Sequence, residues 1–329
     1  MAEEIPQFPV FRPLGLEDRD LVERAFKGLG REASEFTFAC FYMFRQSAEP
    51  GLSRLGDALL FRERCRGGGW CLLPPMLAGS PQAAADAAEA ALRAAARAPS
   101  GELPGHIYGV TEALWNGIFG PGGRFERRPD RDNFDYVYER QELAELRGNR
   151  FHSKKNLINK FLRNHAFEYR RLTPDLLAPA KALAEHWCRL RCGPVGSLSR
   201  LETAALQEGL DRADALGLTV GLILVDGQVQ ALSLGERLSE DMAAIHFEKA
   251  SPGIKGLGQL MAREFAAREF TGCRFFNREQ DLGSAGLRRA KESYCPVKMV
   301  EKHVVSLAGD RRGDEHFRYA PESGEEDGA

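Results

Sequence analysis

The sequence predicts an α+β chain built as two like halves in tandem. Three observations carry this. The chain has 329 residues, enough for two domains at about 100–200 residues each. Its second half reads strand, helix, helix, hairpin, strand, helix, strand, helix, strand, and its first half shows a weaker version of the same alternation. Asp226-Gly227, a favoured tight-turn dipeptide, joins two apolar runs over 219–238, which is the pattern of a hairpin. No segment is repeated identically, so the likeness of the halves rests on pattern.

In chain order, residues 15–30 read as a short helix with Asp18 or Asp20 as cap and Gly28 and Gly30 as stop. An aromatic run follows at 34–46 without one clean period. Strand patterns at 57–64 and 69–76 are broken by a glycine run and a proline pair. Residues 81–98 carry the strongest helix signal, opened by Pro81, dominated by Ala and followed by Pro99. A strand and a helix start share 106–120, and Phe134, Tyr136 and Tyr138 alternate along a strand at 133–140. Helical spacing runs through 141–164, with Gly148 as a break. Beyond 166 come a strand (166–173), helices (174–191 and 198–217), the hairpin, a strand (241–250), a helix (256–270), a strand (273–279), a helix (286–294) and a last strand (297–307). The Gly-, Glu- and Asp-rich tail, 309–329, is expected to be disordered. The expected division is 1–140, 141–308 and that tail.

Composition excludes several classes. The apolar fraction of 43% suffices for a packed core, and 45 basic against 47 acidic residues give a net charge of −2. A chain that binds nucleic acid through overall basicity is excluded, though a local patch is not. No apolar run approaches the roughly 20 residues that span a bilayer, and the acidic N-terminus lacks the basic and apolar regions of a secretory signal. A cytoplasmic location is expected. The seven cysteines are odd in number and form no C-x-x-C, so free thiols are expected rather than a disulfide framework. Cys188 and Cys192, near His186, fall short of a zinc ligand set, and no metal is expected.

Chemistry concentrates in three segments. The first is the strand, Gly-rich turn and helix start at 241–265. Lys255, Gly256, Leu257, Gly258 and Gln259 place backbone N–H groups and one cation where a helix begins, an arrangement suited to phosphate; an ordinary turn is the alternative. On the preceding strand His246 and Glu248 are two apart and so are expected on one face of a sheet, as candidate bases. Their alternatives are a core histidine and an ion-paired surface glutamate. The second segment, 276–296, holds Asn277, Asp281, Arg288 and Lys291. Asp281 is a further candidate base or a helix cap, and Arg288 and Lys291, three apart on a helix face, are candidate ligands for a phosphate or carboxylate, with simple pairing to Asp281 as their alternative. The third is basic: eight Lys/Arg and one acid between Arg147 and Arg171 give a local charge of +7, with Phe151, His152 and Tyr169 interleaved. His152, Lys154 and Lys155 are candidate contacts to the phosphates of tRNA, of an anionic lipid head group or of coenzyme A. No Gly-x-Ser-x-Gly elbow and no cysteine–histidine pairing occur, so no covalent intermediate is indicated.

Two of these segments resemble signatures of the phosphatidylglycerol lysyltransferase C-terminal domain family. They are Leu143…Gly148…Phe151…Lys154-Lys155-Asn156 after a Tyr-rich strand, and Asn277…Asp281-Leu282-Gly283…Gly286-Leu287-Arg288…Lys291. The aromatic run at 36–44 is also similar, and the resemblance covers roughly residues 10–307. Gly253-Ile-Lys-Gly256-Leu-Gly258 resembles the acyl-donor loop of the GNAT acyltransferases but has Gly253 where that pattern has Arg or Gln.

The resemblance implies two GNAT-like halves, each a mixed, mostly antiparallel sheet flanked by helices. It also implies direct transfer of an acyl or aminoacyl group to an amine or hydroxyl, with aminoacyl-tRNA or acyl-CoA as co-substrate. The site is expected in the second half. A non-enzymatic anion-binding module is the other reading, favoured by Gly253.

Overall fold

The computed structural model describes residues 4–310 apart from 28, 31, 66–67, 100 and 194–196, so most of the expected disordered tail lies outside the described residues. The first half runs β1 (Arg12–Pro13), α1 (Arg19–Lys27), α2 (Phe38–Met43), α3 (Arg45–Ala48), β2 (Gly51–Leu55), β3 (Ala58–Arg64), β4 (Trp70–Leu72), α4 (Pro81–Arg97), β5 (Ile107–Thr111), α5 (Glu112–Leu114), β6 (Phe125–Pro129) and β7 (Asp135–Glu139). The second runs α6 (Arg140–Glu145), α7 (His152–Asn164), β8 (Glu168–Arg171), α8 (Pro174–Arg191), α9 (Leu198–Asp211), α10 (Ala213–Leu216), β9 (Thr219–Val225), β10 (Gln228–Arg237), β11 (Met242–Ala250), α11 (Leu257–Arg268), β12 (Phe275–Asn277), α12 (Ala285–Glu292), β13 (Lys298–Val300) and β14 (Lys302–Leu307). The aromatic run without a period is explained by burial on every side: Phe36, Phe38, Phe41 and Tyr42 are all in the core. α4 starts at Pro81, as its sequence predicts, with the Ser80 hydroxyl accepting from the Ala83 N–H.

The strands form two sheets of one design. One has the order β1-β2-β3-β4-β5-β14-β6 and the other β8-β9-β10-β11-β12-β7-β13. In each, the fourth and fifth strands pair parallel (β4 with β5, β11 with β12) and the strands before them pair antiparallel. Each sheet then takes its sixth strand from the other half of the sequence. β7 pairs with β12, and β14 inserts between β5 and β6. This departs from a cut near residue 140 and from a single last strand at 297–307, which breaks at Glu301 into strands of different sheets. The chain falls into two units, Met1–Asp135 with Gln280–Arg289 and Val300–Ala329, and Tyr136–Glu279 with Ala290–Met299. Periodicity could not show the exchange, because a strand's pattern records which faces are buried and not which neighbour it bonds.

In the second unit α6, α7 and α11 cover one face of the sheet. Leu143, Phe161, Leu257, Met261 and Phe265 pack on Tyr138, Ile223, Ala231, Ile245 and Phe276, each large side chain contributing about 2 kcal/mol by leaving water. The break expected at Gly148 is present, with φ 51° at Leu146 and 86° at Gly148. Gly256 caps α11 at φ 90°, and a Cβ there would collide with the Leu157 carbonyl of α7. Glycine is therefore required by backbone shape and by helix packing together.

Strand β11 carries one residue more than β10 can pair. Leu234 faces Phe247 and Gly235 faces Ile245, which leaves His246 unpaired in a bulge. Gly235 allows the strands to close up there, since a Cβ would meet the Ala244 carbonyl. The His246 side chain is 1% exposed, with Nδ1 2.7 Å from Glu279 and Nε2 2.9 Å from Glu236. Burial pulls its pKa down, but hydrogen bonds and charge from the two carboxylates outweigh this and hold it up at about 10.

Two outcomes are expected. Gly256→Ala lowers stability by about 2–4 kcal/mol in denaturant unfolding, through left-handed backbone strain and overpacking against Leu157; a loss below about 0.5 kcal/mol would remove that account. Because the folded-state pKa of His246 exceeds its unfolded value, its charge stabilises fully below about pH 6.5 and the contribution is lost as pH rises toward 10. The melting temperature therefore falls over that window, and His246→Gln flattens the fall; an equally steep fall in the variant would show that other groups govern it.

Candidate functional site

The bulge decides which side chains reach the helix-covered face at the end of β11. Ala243 and Ile245 lie on that face before it, and Ala250 packs against the same core after it. Glu248, two residues from Ala250, joins them. The expectation that His246 and Glu248 share a face is thereby corrected: an inserted residue shifts the alternation by one. His246, with both ring nitrogens engaged and its charge held, is a structural cation and not a base.

Glu248 forms an ion pair with Arg278, Nε at 2.8 Å and Nη2 at 2.5 Å from Oε2. Arg278 follows β12, so strand alternation sets it on the same face as Phe276. Tyr138 and Tyr294 hold its guanidinium, with ring centroids 5.5 Å and 4.8 Å from Cζ. Burial opposes the arginine's charge, and Glu248 and the two phenol groups more than offset it. Burial likewise raises Tyr294, to about 12, and Tyr138 further, so both remain protonated donors. Arg278 Nη1 is buried without a hydrogen-bond partner. Ser233, opposite Glu248 across the β10–β11 ladder, is fully buried, and its hydroxyl also lacks a partner. Two orphaned polar atoms beside one ion pair are an arrangement a ligand would complete.

Two lysines extend the positive character. Lys154 lies with Nζ 4.6 Å from the centre of the Tyr294 ring; burial, then the Arg278 charge, lowers its pKa. Lys291 bonds the Arg278 carbonyl and lies 5.8 Å from the Tyr136 ring. Of Arg288 and Lys291, Arg288 realises the alternative of pairing with Asp281: it grips Asp281 and Asp132 through bonds of 2.8–2.9 Å and belongs with them to the first unit.

Asp281 is 0% exposed, bonded by Arg288, by Arg131 at 3.0 Å and by the Gly283 N–H at 2.9 Å. The expectation of a base is corrected to a buried tie that shapes the loop before α12, because its oxygens are engaged by two guanidiniums and a backbone N–H and no side faces solvent. Asn277 is also fully buried, with Oδ1 accepting from the Glu279 N–H, so it forms the turn after β12.

In the Gly-rich turn Lys255 and Gly258 are exposed, Gln259 is half-buried and Leu257 is fully buried in the core. Leu257 can offer a ligand only its backbone. Along the basic segment, Arg147, Arg150, Arg170 and Arg171 pair with Glu145, Glu142, Glu168 and Glu269. Glu168 is the acid already counted, and the other three lie outside the window, so they bring the local charge from +7 to +4. What remains is α7, where His152, Lys160 and Arg163 are exposed and Lys154 and Lys155 half-buried, none with a carboxylate within ion-pair distance among the described residues.

The sequence reading missed Arg278, Ser233, Tyr138 and Tyr294 as site residues. Period-two spacing from Phe276 would have found Arg278; nothing local distinguishes Ser233, whose importance comes from its cross-strand neighbour. The thiol expectation is also corrected. Cys65–Cys71 and Cys188–Cys192 are disulfide-bonded, because a hairpin diagonal and one helical turn bring their Cα atoms to 5.6 and 4.7 Å.

Among solved structures, a conserved protein of unknown function from Bacteroides thetaiotaomicron superposes with TM-score 0.79 at 28% identity, over 90% of this chain and 99% of that one. L-PGS from Bacillus licheniformis gives 0.59 at 15%, over 95% and 97%. FemX gives 0.52 at 11%, over 91% and 97%. The latter two establish a shared fold, and the tandem GNAT-like architecture is the one expected. No curated protein matches the sequence. Residues 26–306 match the family described as phosphatidylglycerol lysyltransferase, C-terminal, and the chain belongs to that family.

Proposed function

We propose that the chain is an aminoacyltransferase that moves an aminoacyl group from tRNA directly to an amine or hydroxyl acceptor, at the Glu248–Arg278 site of the second unit. Family membership and fold support acyl or aminoacyl transfer in general. The observation that carries the finer reading is Arg278, a buried cation with an unused N–H, flanked by Lys154 and Lys291 at the end of an exposed basic helix.

An aminoacyl ester is already activated, so the protein's tasks are positioning, proton removal and charge stabilisation. The basic face of α7 carries the phosphates of the RNA. The ester carbonyl takes the Arg278 Nη1 proton as its hydrogen-bond donor. The acceptor attacks that carbonyl and its proton passes to the partly exposed Glu248 carboxylate, 25% accessible. The tetrahedral intermediate collapses, the ribose oxygen leaves, and the proton on Glu248 goes to it. Arg278, already positioned by two tyrosines, reorganises little as the oxyanion forms.

An acyl-CoA donor is the second reading, favoured by the N–H groups of α11 behind the turn at 253–256. Anionic lipid head groups are the acceptor class that the family name brings forward.

Three outcomes check this. With tRNA charged with labelled amino acids and vesicles containing phosphatidylglycerol, label is expected in the lipid phase or in a soluble amine product. Charged tRNA that neither binds nor loses its amino acid, alongside saturable acetyl-CoA binding, would replace the donor. Arg278→Ala and Glu248→Gln each lower turnover about 10²-fold or more, measured on the folded fraction because breaking the buried pair also lowers the melting temperature; full activity in both would move the chemistry elsewhere. Reversing Lys155, Lys160 and Arg163 to Glu weakens tRNA binding and flattens its salt dependence by about one unit of logarithmic slope per lost contact, whereas an unchanged slope would place the RNA on another surface.

A further inference from the structure

The first unit holds a second constellation that acyl transfer does not use. Three neighbouring strands each deliver one metal-ligating side chain. Cys65 follows β3, Cys71 lies in β4 and His106 precedes β5. β3 and β4 pair antiparallel with Glu63 opposite Cys71, and the hairpin continues through the Cys65 N–H to the Gly69 carbonyl. β5 runs parallel beside β4, with the Leu72 N–H on the His106 carbonyl. Pairing thus places the three side chains together without any loop having to fold over them. Their ligand atoms all lie within 4.8 Å of one another, and Cys71 and His106 are buried at 5% and 3% exposure.

We propose that Cys65, Cys71 and His106 bind a divalent cation of the zinc class when the two cysteines are reduced. The donor set is two thiolates and one imidazole, the soft and borderline ligands such a cation selects. His106 Nε2 lies 3.5 Å from Cys65 Sγ, close to the separation of about 3.6 Å between sulfur and nitrogen on a tetrahedral zinc. Three protein ligands leave the fourth position to water or another small ligand. Glu63, opposite Cys71, accepts from Tyr108 Oη at 2.5 Å and adds negative charge beside the site. Among the described residues this is the group of three or more such ligands that comes together; Cys188 and Cys192 have no such third partner, and Cys192 lies instead against the Thr203 hydroxyl.

Metal and disulfide exclude one another at this site, because the cation needs both thiolates. Two electrons from an added phosphine, which becomes its oxide with oxygen from water, convert the Cys65–Cys71 bond to two thiols. These release two protons as the metal binds, and neutral His106 supplies Nε2.

The test uses the full chain, reduced with phosphine under anaerobic conditions and titrated with cobalt(II) as the probe. The expected result is a thiolate-to-cobalt charge-transfer absorption and visible bands of a four-coordinate ion, saturating at equimolar cobalt and displaced by zinc. Cys71→Ser abolishes the absorption, and His106→Gln weakens cobalt binding at least tenfold and alters the visible bands. Protein reoxidised with diamide gives none of these signals. The double variant Cys188→Ser, Cys192→Ser keeps them all. Absence of the absorption in reduced wild-type protein, its persistence in Cys71→Ser, or its loss in the double variant overturns the proposal. The wild-type titration decides the matter even where a variant fails to fold.

Discussion

The unpaired residue at His246 is the constraint from which the second unit's chemistry follows. One extra residue in β11 shifts the side-chain alternation, so that Glu248 emerges on the helix-covered face with Ile245 and Ala250. A bulge disrupts the ladder, and this one is fixed by a side chain that cannot leave. The imidazolium bridges Glu236 and Glu279, and the latter adopts a left-handed backbone at φ 58° just past β12. One charged histidine therefore ties β10, β11 and the end of β12 together. That tie holds Glu248 and Arg278, on adjacent strands, within bonding distance.

Burying charge is costly unless every charge is matched, and the chain meets that requirement repeatedly. Lys302, 1% exposed, bonds Asp135 at 2.7 Å and also pairs with Glu35. Burial raises the Glu35 pKa in spite of the lysine, while the two carboxylates hold the Lys302 ammonium protonated. Ser34 and Gln280 complete the hydrogen bonds of Asp135. These knots involve strands that cross between the halves of the sequence, β7 and β14, and fix their ends. At the Glu248–Arg278 pair a guanidinium N–H is buried without a hydrogen-bond partner, as is the Ser233 hydroxyl across the ladder from Glu248.

The two sheets share strand order and place different chemistry at different ends. In the second, charged and phenolic groups gather where β11 and β12 end, which is where parallel neighbours leave room between diverging strands. In the first, sulfur and imidazole gather where β4 and β5 begin. The same architecture thus carries an arginine-centred charged cluster in one unit and a sulfur and imidazole cluster in the other, as expected where chemistry resides in side chains on a common scaffold.

Much of the fold was legible because burial leaves a period. The Ala-rich helix at 81–97, the hairpin at Asp226-Gly227 and the alternating tyrosines of β7 all appear where hydrophobic spacing and turn chemistry put them. Family membership was legible in two long motifs. The sequence by itself determined element types, the two-part plan and the segments that carry charge. Tertiary structure decided the rest. It exchanged β7 and β14 between sheets, since hydrogen-bond partners leave no trace in periodicity. It turned His246 and Asp281 from candidate bases into buried ties, because their hydrogen-bond partners come from positions distant in sequence. It paired three of the eight basic residues of that stretch with acids from outside it. It also brought Cys65, Cys71 and His106 together across three strands, over a separation that no local spacing rule covers.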